Sequence, residues 1–275
     1  MNAATSYLFV PGDRPERFDK ALASGAGRVI LDLEDAVLPE AKPRARDALH
    51  AWLQQHGADA RVLVRINSIE TPWHKDDLRL AALPAVAGIM LPKAERASDL
   101  AQVRAALSPT QALYALIETV DAIVRLREIA AVAGLTRLAF GTVDFCADAG
   151  MGDDRAALDP VRTQLVIESR HARLPAPVDG VTLAIGDEAA LADDVRHARM
   201  FGMGAKLCIH PRQVDTVQRG FLPTEAERAW AQRVLAAIAG AAAGAIAVDG
   251  KLVDRPVIER AKTILARPEH DRVQP

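Results

Sequence analysis

The sequence predicts a closed (β/α)8 barrel, the TIM-barrel class of α/β fold, followed by a carboxyl-terminal helical extension or lid. Three observations carry that prediction. Short β-branched or apolar runs recur about every 25 to 30 residues with helical patterns between them, which is the signature of repeated βα units. Eight such runs fit into about 220 residues, close to the roughly 250 typical of such a barrel. No GxGxxG or Walker pattern follows any of them, so the rival doubly wound open sheet lacks its nucleotide-binding fingerprint; Gly202-Met203-Gly204 is only half a motif.

The strand candidates are residues 7–10, 29–34, 62–67, 88–93, 113–118, 138–144, 180–185 and 205–210. The first, Tyr-Leu-Phe-Val, stops at Pro11-Gly12. The second reads Val-Ile-Leu-Asp-Leu-Glu, and the two-residue period of a strand puts Asp32 and Glu34 on one face. The others likewise run from an apolar start to a polar finish. Arg65 and Asn67, Lys93, Glu118, Asp144, and Lys206 with His210 join Asp32, Glu34 and Asp35 at the carboxyl ends, where a barrel builds its active site. An open sheet would gather them at a single switch point instead. The barrel is assigned to residues 1–221 and the extension to 222–275. Within the extension, Thr224 with Glu227 three residues on caps a helix over residues 224–238, Asp249-Gly250-Lys251 makes a turn, and Pro256 starts a last helix over 257–265. The tail from Arg267 is expected to fray.

Composition narrows the function. The 275 residues are 50% hydrophobic and 25% charged, which excludes disorder and fibre. With 34 basic and 36 acidic side chains, the net charge of −2 supplies no positive field for a nucleic acid. Residues 229–248 are too rich in Ala and Gly, and carry Gln232 and Arg233, so no membrane span is expected. The amino end has neither a basic start nor an apolar core for secretion, and Cys146 and Cys208 stand alone. A cytoplasmic enzyme with reduced thiols is the expectation.

Glu118 and Asp144 end consecutive apolar runs 26 residues apart, one βα unit, so the barrel sets them side by side. Two oxygen ligands that leave the remaining positions to water and substrate suit an octahedral Mg2+; capping the next helices, or pairing with arginine, is the alternative. Arg65 lies in an apolar strand, where a guanidinium is costly unless it meets an anion: a substrate carboxylate or enolate, or structurally Glu34 or Asp35. Asp32, Glu34 and Asp35 are too many acids for a metal-free core, and can orient Arg65 or metal-bound water. Pro11-Gly12-Asp13-Arg14 pairs a turn with a cation, as a phosphate-bearing ligand requires. Lys20 on the following helix reads as a solvated charge, and the seven histidines form no zinc motif.

Six segments in order resemble a known family: Ser6-Tyr7-Leu8-Phe9-Val10-Pro11-Gly12, Asp32-Leu33-Glu34-Asp35-Ala36-Val37, Val64-Arg65-Ile66-Asn67, Ile117-Glu118-Thr119, Phe140-Gly141-Thr142-Val143-Asp144-Phe145 and Gly204-Ala205-Lys206-Leu207-Cys208-Ile209-His210-Pro211. Together they resemble the citrate lyase beta-subunit-like proteins of the HpcH/HpaI aldolase superfamily, from about residue 5 to residue 265. The resemblance implies a barrel that binds Mg2+ through Glu118 and Asp144, with Arg65 and Glu118 at the substrate, and coenzyme A contacts at Phe9, Arg14 and Lys20. Residues 250–256, Gly-Lys-Leu-Val-Asp-Arg-Pro, resemble the lid motif of malyl-CoA and citramalyl-CoA lyases, which maps a catalytic aspartate onto Asp254.

The activity so implied is a Mg2+-dependent acyl-CoA lyase of the oxo-acid-lyase type, cleaving a short 3-hydroxyacyl thioester (malyl-, citramalyl- or citryl-CoA) to an acetyl thioester and a 2-oxo acid. Two alternatives stand beside it: a malyl-CoA-type thioesterase, and an acyl-carrier-protein-dependent subunit of a citrate lyase complex. Asp254 lies more than 40 residues past the last strand, beyond an Ala/Gly-rich stretch that could act as a hinge. The resemblance thus leads to a homotrimer, or a hexamer of trimers, in which Asp254 serves a neighbouring subunit. The alternative is a strap on its own barrel, with Asp254 capping the last helix.

Overall fold

A computed structural model describes residues 4–239 and 246–267. Most of the Ala/Gly run, at 240–245, and the tail at 268–275 lie outside the described residues. The chain divides into two compact units between Gln218 and Arg219, within the helix Gln213–Phe221.

In the larger unit, eight parallel strands close into a barrel: β1 (Ser6–Pro11), β2 (Arg28–Asp32), β3 (Val62–Arg65), β4 (Gly88–Leu91), β5 (Ala112–Ile117), β6 (Arg137–Phe140), β7 (Val178–Asp179) and β8 (Ala205–Cys208). Ser6↔Lys206 and Tyr7↔Leu207 complete the ring between β1 and β8. Alternate residues point inward, and Tyr7, Ile30, Leu63, Met90, Tyr114 and Leu207 belong to the cluster that fills the lumen. Tyr7 and Tyr114 meet edge to face at 5.7 Å. Buried Arg137 donates to the Tyr7 hydroxyl (3.0 Å) and to the carbonyls of Ala4 and Ala176 (2.7 and 2.6 Å), so neutral oxygens receive its Nε and Nη1 donors low in the barrel.

Several strands end sooner than the sequence suggests, because the chain turns to build the mouth as soon as the ladder stops. Two assignments change. The sixth strand ends at Phe140, and Gly141 begins a turn into the helix Thr142–Ala149, so Asp144 occupies a helix's first turn. The seventh strand is Val178–Asp179, and the apolar run expected at 180–185 leaves the ladder. Leu183 and Ile185 are exposed, which a barrel strand would forbid.

Lys206 also departs from expectation. Its neighbours Ala205 and Leu207 face the lumen, so Lys206 points outward, and its Nζ donates to Asp179 Oδ2 at 3.1 Å. Arg162, on the helix Arg155–His171, donates from Nε to Asp179 Oδ1 at 2.8 Å. Burial would raise the Asp179 carboxyl, but the Lys206 and Arg162 charges hold it below the ordinary aspartate range.

The smaller unit contains a helix Glu225–Ala239, a hairpin of β9 (Ile246–Val248) and β10 (Lys251–Val253), and a helix Arg255–Leu265. Thr224 and Glu227 form a reciprocal capping box, with Thr224 N–H to Glu227 Oε2 at 2.8 Å and Glu227 N–H to Thr224 Oγ1 at 3.1 Å. Asp249 and Gly250 both have positive φ (52° and 75°), as a two-residue hairpin turn demands. Ala231, Val234 and Ala261 are fully buried, so the two helices pack on small residues. No helix among the described residues is long and apolar enough to cross a membrane.

Candidate active site

The carboxyl ends of the strands surround a cavity of about 390 Å3 lined by Phe9, Asp32, Asp35, Arg65, Glu118 and Asp144, with apolar walls from Leu116, Phe140, Val181 and Leu207. A larger hollow of about 850 Å3 lies at the amino ends of β2 to β5, beside Arg28, Ala87 and Ala112. Its acid, Asp59, is tied up by Arg61 at 2.9 Å, so the chemistry collects at the mouth.

Arg65 ends β3 with its side chain 9% exposed. Nε and Nη2 donate to the two oxygens of Asp32, at 2.7 and 2.6 Å, in a fork-on-carboxylate pair. Nη1 lies 2.9 Å from Glu34 Oε2 as an ion pair and 3.4 Å from Asp35 Oδ2. Arg65 is thus structurally paired, with Asp32 as its bidentate partner and Glu34 and Asp35 beyond it, and it also lines the cavity. The Phe9 ring lies against the guanidinium, 4.7 Å from its centroid. Burial works against the charge, yet Asp32, Glu34 and Glu118 more than offset it, so Arg65 stays cationic.

Glu118 follows β5 and is 1% exposed. Capping does not explain it: Thr119 caps the next helix, accepting from Ala122 N–H at 3.2 Å. Asp144 is not a cap either, since the residue at that position is Gly141. Neither carboxylate has an ion pair among the described residues. Glu118 Oε1 accepts from Lys93 N–H at 2.8 Å, while Oε2 is buried without a partner. Burial first, then the charges of Glu34 and Asp144, push the Glu118 carboxyl well above its usual range. Gly141 is what lets the carboxylate sit there, because a Cβ at this position would lie 2.5 Å from Glu118 Oε2 and 2.6 Å from Glu118 Cβ.

Glu34 is also perturbed. Burial raises its carboxyl to about 7 against the pull of Arg65 and Lys93. Lys93 Nζ donates to Glu34 Oε1 at 2.8 Å. Behind this residue, buried Lys42 donates to the carbonyls of Leu33 and Glu34 (2.9 and 2.8 Å), and Asn67 Nδ2 donates to Leu33 O (2.9 Å) and Asp77 Oδ2 (2.6 Å). The Asp32–Asp35 turn is therefore gripped from behind. Asn67 belongs to that support rather than to the cavity.

Five carboxylates (Asp32, Glu34, Asp35, Glu118 and Asp144) thus face two cations, Arg65 and Lys93. That surplus, with one buried carboxylate oxygen left over, is a donor set of hard oxygens that fits a divalent cation such as Mg2+. No three His, Cys, Asp or Glu side chains form a cage among the described residues, so the remaining positions would fall to water or substrate.

The other candidate residues lie in different surroundings. Arg14 is exposed, 3.8 Å from Asp13, and Lys20 is exposed on the helix Phe18–Ala23. His210 Nδ1 accepts from Arg212 N–H at 3.1 Å and so serves its own turn. In the smaller unit, Asp254 caps the helix Arg255–Leu265, accepting from Val257 N–H at 3.2 Å. The sequence set Lys93 at a strand's carboxyl end without a task of its own, and set Glu34 among the acids that orient Arg65 or metal-bound water. The signal for Lys93 was Leu-Pro-Lys at a strand end, where Pro92 frees the next N–H from the ladder.

Comparison with known proteins agrees with this architecture. The family described as HpcH/HpaI aldolase/citrate lyase matches residues 5–211. A citrate lyase subunit beta-like protein of Mycobacterium tuberculosis is 38% identical, over 96% of both chains. A (3S)-malyl-CoA thioesterase of Cereibacter sphaeroides is 35% identical over 96% of this chain and 94% of its own. Among solved structures, CitE of M. tuberculosis in complex with magnesium, acetoacetate and coenzyme A superposes with a TM-score of 0.85 at 36% identity, covering 96% of this chain and 97% of that one. With the matched region spanning the whole barrel and similarity running on to nearly the full length, the chain belongs to the HpcH/HpaI aldolase/citrate lyase family.

Proposed function

We propose that the chain is a Mg2+-dependent lyase that cleaves a carbon–carbon bond in a short 3-hydroxyacyl-CoA, giving an acetyl thioester and a 2-oxo acid. The observation that carries this reading is the unpartnered, buried Glu118 oxygen in a cavity shared with Arg65 and surplus acid. A Mg2+ held by Glu118 and Asp144 would supply a Lewis acid at the oxygens of the 2-oxo acid. Arg65, fixed by Asp32, keeps the second N–H of Nη2 available for a carboxylate or a developing enolate oxygen. Leu116, Phe140 and Leu207 keep water from the enolate, which must acquire one proton at carbon to leave as an acetyl thioester. The resemblance of its segment supports Asp254 as the group exchanging that proton, in a trimer or a hexamer of trimers. The same resemblance supports Phe9, Arg14 and Lys20 at coenzyme A.

Hydrolysis of the thioester is the second reading, favoured by the similarity to a malyl-CoA thioesterase. Incubating the protein and Mg2+ with malyl-, citramalyl- and citryl-CoA, and with the carrier-protein thioesters, separates the readings by mass. A 2-oxo acid with intact acetyl thioester supports cleavage. Free hydroxy acid with free thiol supports hydrolysis, and no turnover of any member refutes both.

A further inference from the structure

Three non-glycine residues among those described have a left-handed backbone: Lys93 (φ 46°), Arg173 (φ 60°) and Asp249 (φ 52°). Two have local reasons. Arg173 follows the end of the helix Arg155–His171, where a left-handed residue closes the last turn, and Asp249 opens the hairpin turn. Lys93 ends no helix and opens no hairpin. A strained backbone held without such a reason marks a place where the surrounding structure needs that conformation.

What it achieves can be read from its bonds. β4 pairs with β5 as far as Leu91↔Ala115, and pairing resumes where Ala94 N–H donates to Leu116 O at 3.3 Å. Between them Pro92 has no N–H, and the Lys93 N–H turns away from the ladder to Glu118 Oε1 at 2.8 Å. The same residue's ammonium reaches Glu34 Oε1 at 2.8 Å, and Glu34 Oε2 lies 2.9 Å from Arg65 Nη1. One residue thereby joins Glu118, beyond β5, to the Glu34–Arg65–Asp32 cluster beyond β2 and β3. A glycine would adopt the backbone at no cost and still offer its N–H; it could not offer the ammonium.

We propose that Lys93 is a positioning residue with two separable tasks: its main-chain N–H holds Glu118 by Oε1 so that Oε2 stays free of protein partners, and its ammonium holds Glu34 against Arg65. The proposal rests on the reading of Glu118 as a metal ligand. Lys93 is not among the residues lining the cavity, so its loss acts through the groups it holds.

The test uses Lys93→Gly, Lys93→Asn and Lys93→Val in the full chain, with Mn2+ binding measured without substrate and with thioester kinetics measured separately. Gly and Asn accept the left-handed backbone, keep the N–H and lose the ammonium. Both should bind Mn2+ within about threefold of the wild type while kcat falls roughly 10- to 100-fold, the range for groups that orient ligands, at little-changed KM. Val resists that backbone, so Lys93→Val should also weaken Mn2+ binding, by tenfold or more. Wild-type kcat in the Gly and Asn variants overturns the ammonium's task. Equal Mn2+ affinity in the Val and Gly variants overturns the task of the N–H, and so does a wild-type chain that binds no Mn2+. If the wild type binds Mn2+ but turns over none of the thioesters, the lyase reading fails while the contrast in Mn2+ binding still decides the N–H task.

Discussion

Two buried charge clusters sit on the same barrel, one at its mouth and one behind its wall, and they are built oppositely. Behind the wall, Asp179 meets Arg162 on one oxygen and Lys206 on the other, and its carboxyl is held low although it is 1% exposed. At the mouth, Glu118 is equally buried and its carboxyl is driven up, because its nearest charges include like charges and one oxygen has no partner. Burial is common to both, so burial does not distinguish a structural cluster from a working one. Partner saturation does. The wall cluster is paired within the chain, whereas the mouth keeps a buried Glu118 oxygen without a partner.

This contrast predicts that variants in the two clusters fail in opposite ways. Glu118→Gln and Asp144→Asn should each lower kcat/KM by on the order of 10³-fold or more, since either removes an oxygen donor from the proposed ion. Melting of the metal-free protein should be unchanged or improved, because a crowded acid has gone. Near wild-type turnover at limiting Mg2+ would remove either residue from the metal site. The mirror case is Asp179→Asn, which strands buried Lys206 and leaves Arg162 with Asp159 alone, and should cost about 3–5 kcal/mol of stability, measured by denaturant melts, with full specific activity in the folded fraction. Lost activity without lost stability would place the wall cluster in the catalysis. Arg65→Lys replaces the fork with a point charge that cannot hold Asp32 on two bonds, and should lower kcat/KM roughly 100-fold; an unchanged value would make Arg65 purely structural.

The pH dependence of the metal-free protein sharpens the comparison further. Asp179, depressed in the fold, contributes stability above the ordinary aspartate pKa, and that contribution is lost as pH falls through its lowered folded value. Glu34, raised to about 7, has the opposite sign: the fold binds a proton that the unfolded chain releases, so its contribution improves as pH falls from about 7 toward 4.5. Melts carried from neutral pH to below the ordinary aspartate pKa should show a gain on mild acidification that Glu34→Gln reduces, since Glu118 contributes with the same sign, and a later acid loss that Asp179→Asn reduces. The smallest effect on stability belongs to Asp254→Ala, which removes a cap worth about 1 kcal/mol. If Asp254 also exchanges the substrate proton across subunits, mixing Asp254→Ala chains with Arg65→Ala chains restores activity. Proven mixing without recovery would leave only the cap.

Much of this was legible in the residues. Apolar runs at regular spacing gave seven of the eight strands, and Glu118, Asp144 and Arg65 could be singled out because charge in an apolar run demands a reason. Lys206 satisfied the same criterion but answers to the wall, and its alternation with lumen-facing Ala205 and Leu207 was the clue to that. The seventh strand was misplaced because Val-Thr-Leu-Ala-Ile has the composition of a strand, yet Val181 and Leu183 line the cavity instead of a ladder. Asp144 looked like a strand end because Thr-Val continues the apolar run, whereas Gly141 lets the chain turn into a helix. Lys93 showed only as a polar residue at a strand end. Its role depends on a left-handed backbone and on partners 25 and 59 residues away.

The close approach at Gly141 sets a limit on how this barrel can change over time. A methyl group there would strike not only the far oxygen of Glu118 but also its Cβ, an atom shared by every residue except glycine. Shortening position 118 to Asp therefore offers no compensation, and no single neighbouring substitution makes room. A lineage that replaced Gly141 would have to move the backbone between β5 and β6 in the same step, so the position is closed to gradual drift. In a library randomised at 118 and 141 together, functional clones should all carry glycine at 141, whatever acid survives at 118.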